Sequence, residues 1–205
     1  MSQARIVPLE PPYSAPVRAA FDAIMPPGVP PLALFRAVAV NERVFLRMMA
    51  GGLLDRGSIT MRERELVIDR VTWLCGAEYE YGVHVAFFGP RVKLDDAQLL
   101  ALCSDPPAAS TFTASEGLLL GACDELHRTS TLSAETWAAM ASVWSAEQLV
   151  ELVALVGYYH AISFLVNALA VPHEPFAARF SAPSPGRTAP RQPTSQALPA
   201  DPKSP

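Results

Sequence analysis

Between Thr60 and Phe88 the chain sets two carboxylates and an imidazole, Glu65, Glu80 and His84, among otherwise apolar positions with helical spacing. Burying three ionisable side chains costs on the order of several kcal/mol unless they pair with one another or with a ligand. Such a trio is therefore either a satisfied polar network or a site for proton-transfer chemistry. On one unbroken helix at about 100° per residue, Glu80 and His84 lie about 40° apart and Glu65 about 60° from Glu80, so all three share a face. His84, with an ordinary pKa of about 6.5, suits hydrogen bonding to a developing oxyanion or proton shuttling. Glu80, one turn away, could fix its tautomer or act as general acid. Two neighbouring carboxylates push one pKa upward, which keeps a glutamate protonated near neutral pH. Glu65 would hold or repel according to which of the pair carries the proton.

Other residues near the trio read differently. Glu63 and Glu78 alternate with Arg62, Arg64 and Arg70 and fit a solvated, ion-paired helix surface. Tyr81 lies between the two candidates on the chain and is expected to line a substrate pocket, although an aromatic at helical spacing also suits a core. His160, at the centre of the most apolar segment and beside Tyr158 and Tyr159, is expected to reach the same pocket from a packed helix or another subunit. Asn167 is a comparable candidate. His127 and His173 have no partner in sequence and read as surface histidines. Glu80 and His84 at i and i+4, with Glu65, could chelate a metal ion, but no CxxC, HExxH or Glu-x-x-His pattern supports it, so no metal is expected.

The spacing resembles the carboxymuconolactone decarboxylase and alkylhydroperoxidase AhpD-like family. Its peroxidase branch shows a glutamate, eleven residues, a CxxC pair, three residues and a histidine. On this chain Glu65 takes the glutamate position, Ala77 and Glu80 take the two cysteine positions, and His84 takes the histidine. RERELVI at Arg62 to Ile68 and GYYHAISFLVNALAVPHEP at Gly157 to Pro175 resemble members without CxxC, and the likeness runs from about Pro11 to Pro175. It implies an all-α, AhpD-like helical bundle, a homo-trimer or hexamer, and a pocket built around Glu65, Glu80 and His84. Thiol peroxidase chemistry needs a thiolate and a resolving partner, which Ala77 and Glu80 cannot supply. Cys75 lies two residues before the family position, about 200° around a helix from Ala77, and fits a buried inert thiol better. The decarboxylase branch instead loses carbon dioxide from a small lactone acid and then protonates an enolate-like intermediate. The resemblance thus implies cofactor-independent decarboxylation or isomerisation of a small oxygenated acid or lactone. A divergent peroxidase using Cys75 and a non-catalytic small-molecule-binding oligomer are the alternatives.

The elements that must position these residues are helices. Thr60 with Glu63, Asp95 with Gln98, Thr113 with Glu116 and Ser145 with Gln148 each show the capping-box pattern ahead of helical apolar spacing. Further helices are expected over Ala15 to Ile24, Pro31 to Val38, Glu42 to Leu54 and Ala134 to Trp144. No run alternates with period two between turn residues, so no strand is expected. Gly76 and Gly82 weaken the key segment, since glycine in a helix interior costs about 1 kcal/mol relative to alanine. A break near Gly76 would start a second helix at about Glu78, ending at Phe88 before Gly89 and Pro90, and Glu65 would then approach from a packed neighbour.

Composition bounds the rest. The chain has 205 residues, 50% of them hydrophobic, with a mean hydropathy of +0.20, enough for one sizeable core with an apolar excess suited to subunit interfaces. A net charge of −4 with scattered Lys and Arg leaves no electrostatic footprint for nucleic acid. The three cysteines, Cys75, Cys103 and Cys123, have neither disulfide nor metal spacing, consistent with a reducing cytoplasm. The proline-interrupted N-terminus reads as carrying no targeting signal. Leu149 to Val171 is long enough to span a bilayer, but Glu151, His160 and Asn167 favour a buried helix, so no membrane is expected. The organisation expected is a flexible 1–10, a helical domain over 11–180 and a Pro/Ser/Ala-rich, disordered tail over 181–205.

Overall fold

A computed structural model describes residues 4–182, 184 and 185. Among these residues there is no strand, and the helices are α1 (Ala15–Ile24), α2 (Ala33–Val38), α3 (Glu42–Ala50), α4 (Met61–Leu74), α5 (Glu78–Phe88), α6 (Asp96–Leu102), α7 (Ala114–Thr129), α8 (Ala134–Ala141) and α9 (Ala146–Ala168). The expected all-α class is what the chain adopts. All four anticipated capping boxes close on both sides, at the starts of α4, α6, α7 and α9, and Ser14, Asn41 and Ser133 cap α1, α3 and α8. Helix α3 stops at Ala50, short of the expected Leu54, because Gly51 takes the C-cap and Gly52 follows.

Helix α4 is the axis of the bundle, and α5, α6, α7 and α9 pack around it. Every residue from Arg64 to Leu74 is buried, so it has no solvated stripe. Val67, Ile68 and Val71 enter the main core with Phe21 of α1, Phe45 of α3, and Leu152, Leu155, Tyr159 and Ile162 of α9. Leu66 meets Leu102 and Leu120 on another side, and Trp73 and Leu74 meet Tyr81 and Cys103 on a third. Helix α9 is long and apolar enough to cross a membrane, yet one face is part of this core. Its other face leaves Val150 70% and Phe164 65% exposed.

The break between α4 and α5 falls at Gly76, whose φ of +66° is the left-handed region that glycine enters without penalty. Gly82 serves a different need. The Ala178 amide donates to its carbonyl at 3.1 Å, and a Cβ at Gly82 would lie 2.2 Å from the Ala178 oxygen. The segment after α9 therefore lies flat against α5, with Phe180 on Tyr81, ring centroids 5.0 Å apart. Trp73 Nε1 then donates to the Ala182 carbonyl at 3.3 Å and Ser184 Oγ to the Trp73 carbonyl. The first residues of the expected tail are thus packed onto α4, and the stretch 186–205 lies outside the described residues.

Buried charges on α4 are what pin its neighbours. Arg70, fully buried, makes a bidentate pair with Asp124 of α7, Nε to Oδ1 at 2.6 Å and Nη2 to Oδ2 at 2.8 Å. Its remaining donor reaches the Leu102 and Ser104 carbonyls at 2.8 and 2.6 Å, and its guanidinium lies over Trp73 at 4.7 Å. Removing one member of such a pair strands the other charge in the core. Asp124→Ala should lower unfolding stability by about 3–5 kcal/mol in a denaturant titration. A loss below about 1 kcal/mol would show that Arg70 finds water or another acceptor.

Candidate active site

Helix α5 begins immediately after the Gly76 turn, which aims Glu80 and His84 back across α4. Glu65 therefore meets His84 from the packed neighbour and not from a shared helix. Its Oε2 accepts from His84 Nδ1 at 2.7 Å. Its other oxygen, Oε1, accepts from Arg64 Nε at 2.8 Å, and Arg64 Nη1 donates onward to the Leu54 carbonyl at 2.7 Å. With Nδ1 committed, His84 turns Nε2 toward the Tyr159 hydroxyl at 3.1 Å and Glu80 Oε1 at 3.5 Å. The ring is held by Phe88 stacked at 5.3 Å and by Tyr159 edge-on at 5.3 Å.

Charge and burial compete here. Burial pulls the His84 imidazole toward its neutral form, but the hydrogen bonds and charges of Glu65 and Glu80 outweigh it and raise the pKa to about 10. His84 is therefore an imidazolium at neutral pH, with both nitrogens donating. Asp69, one turn beyond Glu65 on α4, behaves in the opposite way. Burial and the adjacent Glu65 charge push it well above the usual carboxylate range, and among the described residues neither of its oxygens has a hydrogen-bond partner. Burial thus favours its protonated form. Burial, reinforced by Glu80 and Glu65, also raises Tyr159, which stays a phenol able to donate.

Glu80, His84 and Tyr159 open onto a cavity of about 520 Å³. Its far wall comes from the N-terminal helices, through Met25, Leu34, Phe35 and Met48, and Phe87, Phe88 and Ile162 complete a mostly apolar lining. Asp55 and the exposed Arg91 stand at its edge, Arg91 over the Phe88 ring at 5.4 Å. The cavity can accept a small, largely apolar molecule with one oxygen facing Nε2 of His84 and the Tyr159 hydroxyl. Glu80 would flank it with a carboxyl group. Glu65 does not line this space and acts on it only through His84.

Several expected site residues stand elsewhere. Tyr81 does not line the cavity. It faces the opposite side of α5, where its hydroxyl accepts from Cys103 Sγ at 3.4 Å. His160 does not line it either. Its neighbour Tyr159 takes that place, because Leu152, Leu155, Tyr159 and Ile162 form the inward stripe of α9 and His160 is turned about 100° from Tyr159. Because α9 is apolar on most sides, with Val150 and Phe164 on its exposed face, its sequence does not mark which stripe turns inward. Asn167 caps α4 instead, Nδ2 donating to the Cys75 carbonyl at 2.8 Å. Glu63 closes the α4 capping box and accepts from Trp144 Nε1 at 2.6 Å. Arg64, Asp69 and Arg91 had no signal that set them apart from other charged residues. Cys75 lies outside the cavity, with its thiol pKa raised by burial, and Cys103 and Cys123 are buried free thiols in other parts of the core.

No protein-family model and no curated protein matches the chain in sequence. Solved structures do match it in shape. A peroxidase-related protein from Silicibacter sp. TM1040 superposes with a TM-score of 0.73 at 16% identity, over 88% of this chain and 97% of the other. A debrominase in complex with 2,3,4-tribromopyrrole gives 0.66 at 14% identity, over 84% and 93%. A protein of unknown function from Agrobacterium tumefaciens, assigned provisionally as antioxidant defence protein AhpD, gives 0.52 at 16% identity, over 68% and 90%. At these identities the likeness is one of fold, and the fold of this chain is AhpD-like.

Proposed function

We propose that the protein is an enzyme that moves protons without a cofactor, decarboxylating or isomerising a small oxygenated acid or lactone in the cavity beside His84. The observation that carries this reading is the His84 ring held by Glu65 at Nδ1, with Nε2 directed at the cavity between Glu80 and the Tyr159 hydroxyl. Preorganised donors of this kind stabilise negative charge that develops on a carbonyl oxygen. In an isomerisation, Glu80 takes a proton from the carbon next to the carbonyl, electron density moves onto the oxygen facing His84, and the proton returns at another carbon. In a decarboxylation, carbon dioxide leaves, its bonding pair delocalises onto the same oxygen, and one proton from solvent reaches carbon through Glu80 or His84. Arg91 at the mouth suits a substrate with one carboxylate.

Thiol peroxidase chemistry is the weaker reading. The positions where the AhpD pattern has its cysteine pair hold Ala77, buried at the start of α5, and the cavity-lining Glu80. Assembly into a homo-trimer or hexamer is part of the same proposal, supported by the exposed apolar face of α9 at Val150, Val153 and Phe164.

Deuterium uptake from heavy water at the carbon next to a carbonyl, followed by NMR across a panel of small keto acids and unsaturated lactones, tests the chemistry directly. The wild type should catalyse exchange, Glu80→Gln and His84→Gln should each slow it by about 10²-fold or more, and Cys75→Ser should leave it intact. Binding of panel members with no exchange or turnover would point to a non-catalytic binding protein. Hydroperoxide reduction abolished by Cys75→Ser would restore the thiol mechanism.

The charge state of His84 sets a pH dependence. Its folded pKa, about 10, lies above the ordinary 6.5, so the stability it contributes is complete below about 6.5 and is lost as pH rises through about 10. The wild type should accordingly lose stability relative to His84→Gln over that window in parallel melts, with catalysis falling as pH approaches 10. A stability difference that is flat from pH 6.5 to 10 would mean that the histidine is neutral.

A further inference from the structure

At the other side of α9 from the cavity, three side chains far apart in sequence converge. Cys75 ends α4, His127 lies in the last turn of α7, and His160 is in the middle of α9. His127 Nδ1 is 2.9 Å from His160 Nε2 and 3.8 Å from Cys75 Sγ, and one donor atom from each of the three residues lies within 4.8 Å of the others. We propose that this cluster is a binding site for a zinc-class transition-metal dication, ligated by Cys75 Sγ, His127 Nδ1 and His160 Nε2 with a fourth position open to water.

The distances suit the ion. Zinc bonds of about 2.0–2.1 Å to nitrogen and about 2.3 Å to sulfur, at tetrahedral angles, place ligand nitrogens about 3.3 Å apart and nitrogen and sulfur about 3.6 Å apart. The observed 2.9 and 3.8 Å are within a few tenths of an ångström of those spacings. His160 already has a ligand's orientation, because its Nδ1 donates to the Val156 carbonyl at 2.8 Å and leaves the Nε2 lone pair facing the other two residues. A backbone acceptor on the far nitrogen is the usual outer-shell support of a metal-bound imidazole. One thiolate and two imidazoles select a borderline-soft ion over calcium or magnesium, which take oxygen ligands. All three residues are half-buried, so an ion can enter and a water can complete the shell. Binding releases the thiol proton to solvent and moves the His127 proton from Nδ1 to Nε2.

The site is separate from the cavity, since none of its residues lines it. Cobalt(II), which takes zinc's ligands and reports a bound thiolate by charge-transfer absorption, is the probe, titrated into the full-length chain. One equivalent should produce that absorption, zinc should displace it, and Cys75→Ser should abolish it. His127→Gln and His160→Gln, each checked for folding by thermal melt, should weaken zinc binding by about 10-fold or more. Absence of the thiolate band at one equivalent overturns the proposal, as does zinc affinity unchanged in Cys75→Ser. Binding lost in Glu80→Gln but kept in Cys75→Ser also overturns it and moves the ion into the cavity.

Discussion

The structure depends on one constraint: α4 is buried on every side, yet it carries Arg64, Glu65, Asp69 and Arg70. A helix with no solvated face cannot leave such groups alone, so each must find a partner or give up its charge. Arg70 finds Asp124 on α7 and the carbonyls after α6. Arg64 finds the Leu54 carbonyl in the connection after α3 and, with His84 of α5, brackets Glu65. Asp69 is pushed toward its protonated form by burial and by the neighbouring Glu65. The arrangement of four neighbouring elements around α4 is thus dictated by electrostatic need as well as by apolar packing.

The same need produces the chemistry. Glu65 is no part of the cavity wall, but by holding Nδ1 of His84 it keeps the ring charged and presents Nε2 to the open space. A histidine in the same apolar hollow without Glu65 and Glu80 would be neutral, because burial alone pulls its pKa down. The cavity lies where α1, α2 and α3 face α5 and α9, and methionine, leucine and phenylalanine side chains close it. Polar groups then come from one side and shape from the other, a division that suits a site excluding water while holding one oxygen.

Helix α9 serves two separate clusters with adjacent residues. Tyr159 points inward to His84, and His160, one residue on, points to His127 and Cys75. The roughly 100° step between successive helical positions is what keeps these two groups of titratable side chains apart. The C-terminal end of α4 supplies Cys75 to one and its N-terminal half supplies Glu65 to the other, so any shift of α4 along its axis would disturb both.

The helices, their starts at Thr60, Asp95, Thr113 and Ser145, the turn at Gly76, and the grouping of Glu65, Glu80 and His84 were all legible in the chain. The helices rest on contacts between residues three or four apart and the turn on a glycine's freedom at positive φ, which are local, whereas Glu65 meets His84 from 19 positions away and was legible through the spacing of the family that the chain resembles. What the amino-acid order left open was every partnership across long separations. Arg70 and Asp124 are 54 residues apart, and Tyr159 and His84 are 75 apart. Tyr81 and His160 were placed at the pocket by chain proximity and apolar context, and packing turned both away from it. His127 read as a surface residue because its two partners lie 33 and 52 positions off. Local hydrogen bonding determines which segments are helical, whereas which faces meet depends on the summed burial of all of them, and only the assembled bundle decides that.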